Sequence, residues 1–155
     1  MFKYIFKGIF LLLITNAVYG QDINVSDMIK IVNSSHQKAS EFIVKERKFD
    51  TLRSIIVLHR TINQYSRNTS KSTQLIVKNE WEDNHRIIRS VHYEFKPQSY
   101  AIEIIRQFEQ LGFKLKSKED DSQKHVRVYE TDHYIANIYT YEDKKNAAST
   151  EIHEK

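Results

Sequence analysis

Residues 97–113, PQSYAIEIIRQFEQLGF, carry a single apolar stripe at helical spacing: Ala101, Ile104, Ile105, Phe108 and Leu111, with Glu103, Arg106 and Glu109 between them. Pro97-Gln98-Ser99 opens the helix. Gly112 stops it, because the position after a helix favours a residue free to adopt positive φ. Phe113 then folds back on the last turn. Burying Ile104, Ile105, Phe108 and Leu111 contributes on the order of 6–12 kcal/mol before entropy is subtracted. That is comparable with the ~5–15 kcal/mol net stability of a whole domain. A helix with one apolar side must lie on a second apolar layer, and the rest of the chain supplies strands for it.

An earlier helix opens at Ser26-Asp27, where Ser26 can accept from the free N–H groups of the first turn. Met28, Val32, Ser35, Ala39, Phe42 and Ile43 continue it at three- and four-residue steps, and it ends near Arg47 or Lys48. In Arg53–Tyr65 two periods compete. Leu52, Ile55, Ile56, His59 and Ile62 fit a helix. The run Ser54-Ile55-Ile56-Val57-Leu58 is rich in β-branched residues and favours a strand, which is the reading adopted. Residues 66–73, SRNTSKST, read as a loop. Gln74–Trp81 and Arg86–Phe95 alternate around the polar turn Glu82-Asp83-Asn84-His85 and form a hairpin. Leu75, Val77 and Trp81 share one face of the first strand, with Lys78 and Glu80 turned the other way. Ile87, Val91, Tyr93 and Phe95 share one face of the second. Lys114–Lys124 reads as a charged connector, Val126–Tyr129 and Tyr134–Tyr141 as a last hairpin, and Glu142 onward as a charged tail.

The expected architecture is therefore α+β: an antiparallel sheet of about five strands with two helices packed on one face, in the order α-β-β-β-α-β-β, preceded by a signal peptide. The expected organisation is a signal peptide over 1–20, one domain over 21–142 and a flexible charged tail over 143–155. Phe42 and Phe49 bracket the end of the first helix as Phe108 and Phe113 bracket the end of the second. Strands follow each, the pattern of a diverged internal repeat.

The amino terminus, MFKYIFKGIFLLLITNAVYG, has the order of an export signal. Lys3 and Lys7 form a basic start, Gly8–Ile14 an apolar run, and Val18 and Gly20 the small residues before a cut at Gln21. The expected location is periplasmic or extracellular. The apolar run is far short of the ~20 residues that cross a bilayer as a helix. The chain's formal charge of +4 falls to +2 once Lys3 and Lys7 are removed, with 22 basic and 20 acidic residues left. Those signs are interspersed, which argues against a nucleic-acid-binding face.

With no Cys in the chain, disulfide scaffolds, Cys-type zinc sites and thiol nucleophiles are excluded. The seven His show no H-x-H pair and no H-E-x-x-H helix, and no Gly-x-Ser-x-Gly elbow is present. Glu80, Glu82 and Asp83, and Glu119-Asp120-Asp121, sit where turns gather solvated acids. Catalytic residues, metal ligands and cofactors are accordingly expected to be none.

The helix ending Leu111-Gly112-Phe113-Lys114, Trp81 on the preceding strand, the tyrosine-rich final hairpin and the mature start Gln21-Asp22 resemble small exported proteins of unknown function from Bacteroidota. The resemblance covers the C-terminal half. It implies a compartment and no catalytic residue. The helix–Gly–hairpin unit is also similar to modules of some exported peptidase inhibitors, a likeness of fold alone.

On the final hairpin, alternation puts Ile135, Asn137, Tyr139 and Tyr141 on one side and Tyr134, Ala136 and Ile138 on the other. The second set suits a core. The first mixes aromatic and polar groups, as partner-facing surfaces do. Asn137, Tyr139 and Tyr141 are the expected binding residues, and another protein is the expected partner. The resulting functional expectation is an exported, non-catalytic interaction protein, an inhibitor or neutraliser in kind. The alternative is a small envelope hydrolase with a His/carboxylate site.

Overall fold

The computed structural model describes residues 23–70, 72–143, 145 and 147–155. The expected signal peptide, residues 1–20, lies outside them. Eight antiparallel strands form one sheet: β1 (Asp50–Val57), β2 (Arg60–Asn68), β3 (Thr73–Asp83), β4 (Arg86–Lys96), β5 (Lys114–Asp120), β6 (Lys124–Glu130), β7 (Tyr134–Tyr141) and β8 (Ala148–Glu154). Their order across the sheet is β1-β2-β3-β4-β8-β7-β6-β5. Three helices, α1 (Val25–Asn33), α2 (His36–Glu41) and α3 (Ala101–Gln110), share one face. Among the described residues, no helix is long and apolar enough to cross a membrane.

This corrects the expected five strands and two helices in three places. The Arg53–Tyr65 stretch is two strands, not one: the chain reverses at Leu58-His59, where Leu58 takes φ 51°. Lys114–Asp120 is the edge strand β5, not a connector; an edge needs little apolar surface, and charge there discourages pairing with other chains. The supposed tail supplies β8, which pairs with both β4 and β7 at the centre of the sheet. Its Ala148, Thr150 and Ile152 alternate into the core.

The first helix also differs from expectation. Asn24, not Ser26, is its N-cap. The Asn24 side chain accepts from Asp27 N at 2.8 Å, and the Asp27 carboxylate accepts from Asn24 N at 3.2 Å, a reciprocal capping box. The helix breaks at Ser34, and Ser35 caps α2. A π turn over Phe42–Glu46 then carries α2 to its end. The α3 stripe buries Ala101, Ile104 and Phe108, while Leu111 stays exposed.

The two halves of the sheet repeat each other. Helix α2 with its π turn ends at Lys48 (φ 58°) and Phe49, and α3 ends at Gly112 (φ 83°) and Phe113. Phe49 N donates to Ile43 O at 3.2 Å, and Phe113 N to Phe108 O at 3.0 Å; the π turn accounts for the extra residue in the first half. Each edge strand then has a bulge, between Thr51 and Arg53 and between Leu115 and Ser117. Thr51 lies opposite Tyr65, and Leu115 opposite Tyr129, and both tyrosines are buried. In the second half the Phe108 ring stacks on Tyr129 at 5.9 Å and meets Phe113 edge-on at 4.9 Å.

The core lies between the helices and this face: Val91, Tyr93, Phe95, Ala136, Ile138 and Ile152 lie under Met28, Ile31, Ile104 and Phe108. On β3 the register faces Ile76 with Tyr93 and Lys78 with Val91. Lys78 is thus fully buried, and Leu75, Val77 and Trp81 point away from the helices.

Candidate functional site: the helix-free face of the sheet

Among the described residues, the opposite face of the sheet carries no helix. One row of side chains crosses it from edge to edge: Arg53, Gln64, Val77, His92, Glu151, Asn137, Val128 and Ser117, each paired with the next. Leu75 and Trp81 belong to this face on β3, and Tyr139 and Tyr141 on β7. All four are half-buried. The structure therefore brings Asn137, Tyr139 and Tyr141 together on the uncovered side and puts Ala136 and Ile138 in the core.

Two aromatic corners mark the face. Arg60 lies opposite Trp81 with its guanidinium 5.8 Å from the ring centre. Lys124 lies opposite Tyr141 with its ammonium 4.5 Å from the centre of the Tyr139 ring. Such cations hold the rings and offer charge beside an apolar surface. The pairs Arg60/Trp81 and Lys124/Tyr141 occupy equivalent places in the two halves. Each aromatic is four residues along its strand from the central row, in opposite directions, so strand geometry separates the corners by roughly 30 Å. Burial, followed by the nearby Glu151 carboxylate, holds the Tyr139 hydroxyl above the usual phenol range; the Asn137 amide acts the other way. At the end of β7, the Gln98 side-chain oxygen accepts from Tyr141 N at 2.9 Å and fixes the backbone at that corner.

The ionisable clusters flagged by the sequence are engaged elsewhere. His125 has Asp120 at 2.8 Å on Nδ1 and Glu142 at 3.0 Å on Nε2. The two carboxylates raise its pKa, and neither ring nitrogen is left to act as a base. Asp121 accepts from Gln123 N and Lys124 N, both at 2.7 Å, which caps the β5–β6 turn and keeps its carboxyl low. His36 pairs with Asn63 at 3.0 Å, and burial lowers its pKa. Among the described residues, no group of three or more His, Asp or Glu is arranged to hold a metal ion. A pocket of about 230 Å³ beside the β3–β4 turn is lined by Asp83, Asn84, Arg86, Ile87, Ile88, Glu154 and Lys155, with no histidine in its wall.

Sequence reasoning reached the tyrosines of β7 but not Arg60, Lys124, His92 or Glu151 as members of one surface. The missing signal was the strand identity of 148–154, without which β4 and β7 have no common neighbour. Comparison of the chain with protein-family models, curated proteins and solved structures gives no match.

Proposed function

We propose that this chain is an exported, non-catalytic interaction protein that holds a partner protein against the helix-free face of its sheet. The observation that carries the reading is the pair of aromatic corners, Trp81 with Arg60 and Tyr139/Tyr141 with Lys124, at opposite ends of one uncovered surface. Tyr, Trp and Arg supply large contact area with a polar handle, and they dominate the energetics of protein interfaces. Eight strands at ~4.8 Å spacing give a face wide enough for the ~800 Å² that each side of a standard interface contributes. A surface of this kind suits an inhibitor or neutraliser, which acts by occupying another protein. The hydrolase alternative has no comparable support, because His125, the histidine with two carboxylates, is saturated by them.

The order of residues 1–20 supports export, and the resemblance to exported Bacteroidota proteins supports a partner in the periplasm or outside the cell. The test is capture with residues 21–155 from the producing organism's envelope and medium, repeated with Tyr139→Ala/Tyr141→Ala. A partner retained by the wild type and lost by the variant supports the reading. Equal retention by both removes the β7 corner from the site. Mass spectrometry of the exported protein checks the start at Gln21.

A further inference from the structure

His125 stands where three strand ends meet. It is the second residue of β6, opposite Asp120 at the end of β5 and Thr140 on β7, and Glu142 directly follows β7. Asp120 Oδ1 lies 2.8 Å from Nδ1, and Glu142 Oε1 lies 3.0 Å from Nε2. An ionised carboxylate only accepts, so both contacts are hydrogen bonds only when both ring nitrogens carry protons. A neutral ring donates from one nitrogen and turns a lone pair toward the other carboxylate. The His125 side chain is 27% exposed, so a proton reaches it from solvent without the core opening. The other charges around the ring are engaged or lie one position further along. Asp121 accepts from Gln123 N and Lys124 N, both at 2.7 Å, and Asp143 accepts from Lys145 N at 2.9 Å. Lys118 on β5 and Arg127 on β6 are the next residues on the same face. In the helix layer, Glu103 pairs with Arg106 at 2.7 Å, and Glu109 accepts from the Tyr129 hydroxyl at 3.5 Å.

The same strand ends carry one aromatic corner on their other side. Lys124 and Tyr141 oppose each other there, with the Lys124 ammonium 4.5 Å from the centre of the Tyr139 ring. Asp121 N donates to Lys124 O at 3.0 Å, and Glu142 N to Gln123 O at 3.1 Å. The first half of the sheet repeats that backbone, with Glu82 N donating to His59 O at 3.1 Å. The places of Asp120, His125 and Glu142 fall there to Ile56, Thr61 and Glu82. The fold closes that corner without a histidine between two carboxylates, so the arrangement at His125 belongs to one corner alone. We propose that His125 is a proton-operated clasp: its imidazolium ties β5, β6 and the chain leaving β7 together and steadies the Lys124/Tyr139/Tyr141 corner, and loss of its proton frees one carboxylate and loosens that corner. The two carboxylates keep the proton on His125 above the ordinary histidine value of 6.5. Because the folded pKa is the raised one, the clasp is closed below 6.5 and opens as the pH rises through the folded value. The inference concerns the free protein and does not depend on what the helix-free face binds.

An NMR pH titration of residues 21–155, which contain the whole described fold, tests it. The His125 ring resonances should titrate with a midpoint above 6.5. Hydrogen-exchange protection of the Asp121 and Glu142 amides should fall at least about threefold as the pH passes through that same midpoint. Asp120→Asn and Glu142→Gln should each lower the midpoint, and the double variant should lower it further. In His125→Gln the step in amide protection should vanish. The two carboxylates are 56% and 66% exposed, so their replacement spares the core, and the wild-type titration needs no variant at all. A midpoint at or below 6.5 overturns the inference. So does amide protection that runs level through the midpoint, a step that persists in His125→Gln, or a midpoint unchanged in the double carboxylate variant.

Discussion

His92 and Glu151 face each other across the β4–β8 pair at the point about which the two halves of the sheet are related. The neighbouring pairs are Val91 with Ile152 and Tyr93 with Thr150. Tyr93 in the first half and Ile152 in the second occupy equivalent places, opposite Ile76 and Ala136 respectively. A half-turn about His92/Glu151 therefore exchanges the two neighbouring pairs. The same half-turn carries Arg60/Trp81 onto Lys124/Tyr141. The repeat organises the surface as well as the core, although few side-chain identities survive in it.

The central place of β8 makes the C-terminus structural. Removing residues 147–155 deletes Ala148 and Ile152 from the core and leaves both β4 and β7 as unprotected edges. The truncated chain is expected to lose its cooperative thermal transition in circular dichroism. A truncation that melts within a few degrees of the full chain would show β8 to be dispensable.

The α3 stripe, the β3–β4 and β6–β7 hairpins and the two sides of β7 were legible because each carries a strong local period. β8 was not. ASTEIHE alternates as a strand does, but Ala and Thr are small and the flanking residues charged, so the pattern reads as solvated chain until β4 and β7 are placed on either side. β5 was hidden for the opposite reason: an edge strand with charged side chains has almost no apolar signature. The buried Lys78 inverted the reading of β3. Its four methylenes lie in the core, and its ammonium reaches the end of α1, donating to Ile31 O at 2.9 Å and Val32 O at 3.3 Å. No alternation rule anticipates a lysine capping a helix from beneath.

Lys48 and Gly112 end equivalent helices at positive φ, yet only one is glycine. A side chain in that region costs free energy that glycine avoids. Lys48→Gly is expected to stabilise the protein by roughly 0.5–1 kcal/mol, and Gly112→Ala to destabilise it by about 1 kcal/mol. Denaturant unfolding measures both. A destabilising Lys48→Gly would mean that the lysine side chain contributes more than its backbone costs.

Burial lowers the pKa of Lys78 to about 8, with Arg89 acting in the same direction and Glu80 opposing. Between pH 8 and the unfolded lysine value of ~10.4, the unfolded chain holds this proton while the folded chain has largely lost it. Stability contributed by this group therefore rises with pH across that window. Raising the pH from about 7.5 to about 9.5 should add roughly 1–2 kcal/mol relative to Lys78→Met, whose profile lacks the rise. Parallel chemical-denaturation profiles of the two proteins across that range are the measurement. Identical pH dependence would mean that Lys78 titrates as an exposed lysine does.

The two aromatic corners offer a test of the face as a unit. Trp81 and Tyr139 lie on strands separated by β4 and β8, toward opposite ends of the sheet, and share no neighbour in the strand pairing. Neither contributes to the buried core. Each change to Ala is expected to leave the thermal midpoint within a few degrees and to weaken partner binding by about 2 kcal/mol. If one partner spans the face, both changes weaken the same complex. At that separation their costs add to about 4 kcal/mol in the double variant. If the corners hold different partners, each change weakens only its own complex and the double variant is no worse than the relevant single one. Titration calorimetry of the three variants against the captured partner separates these outcomes. A double variant that binds as the wild type does would leave the helix-free face without a role in recognition.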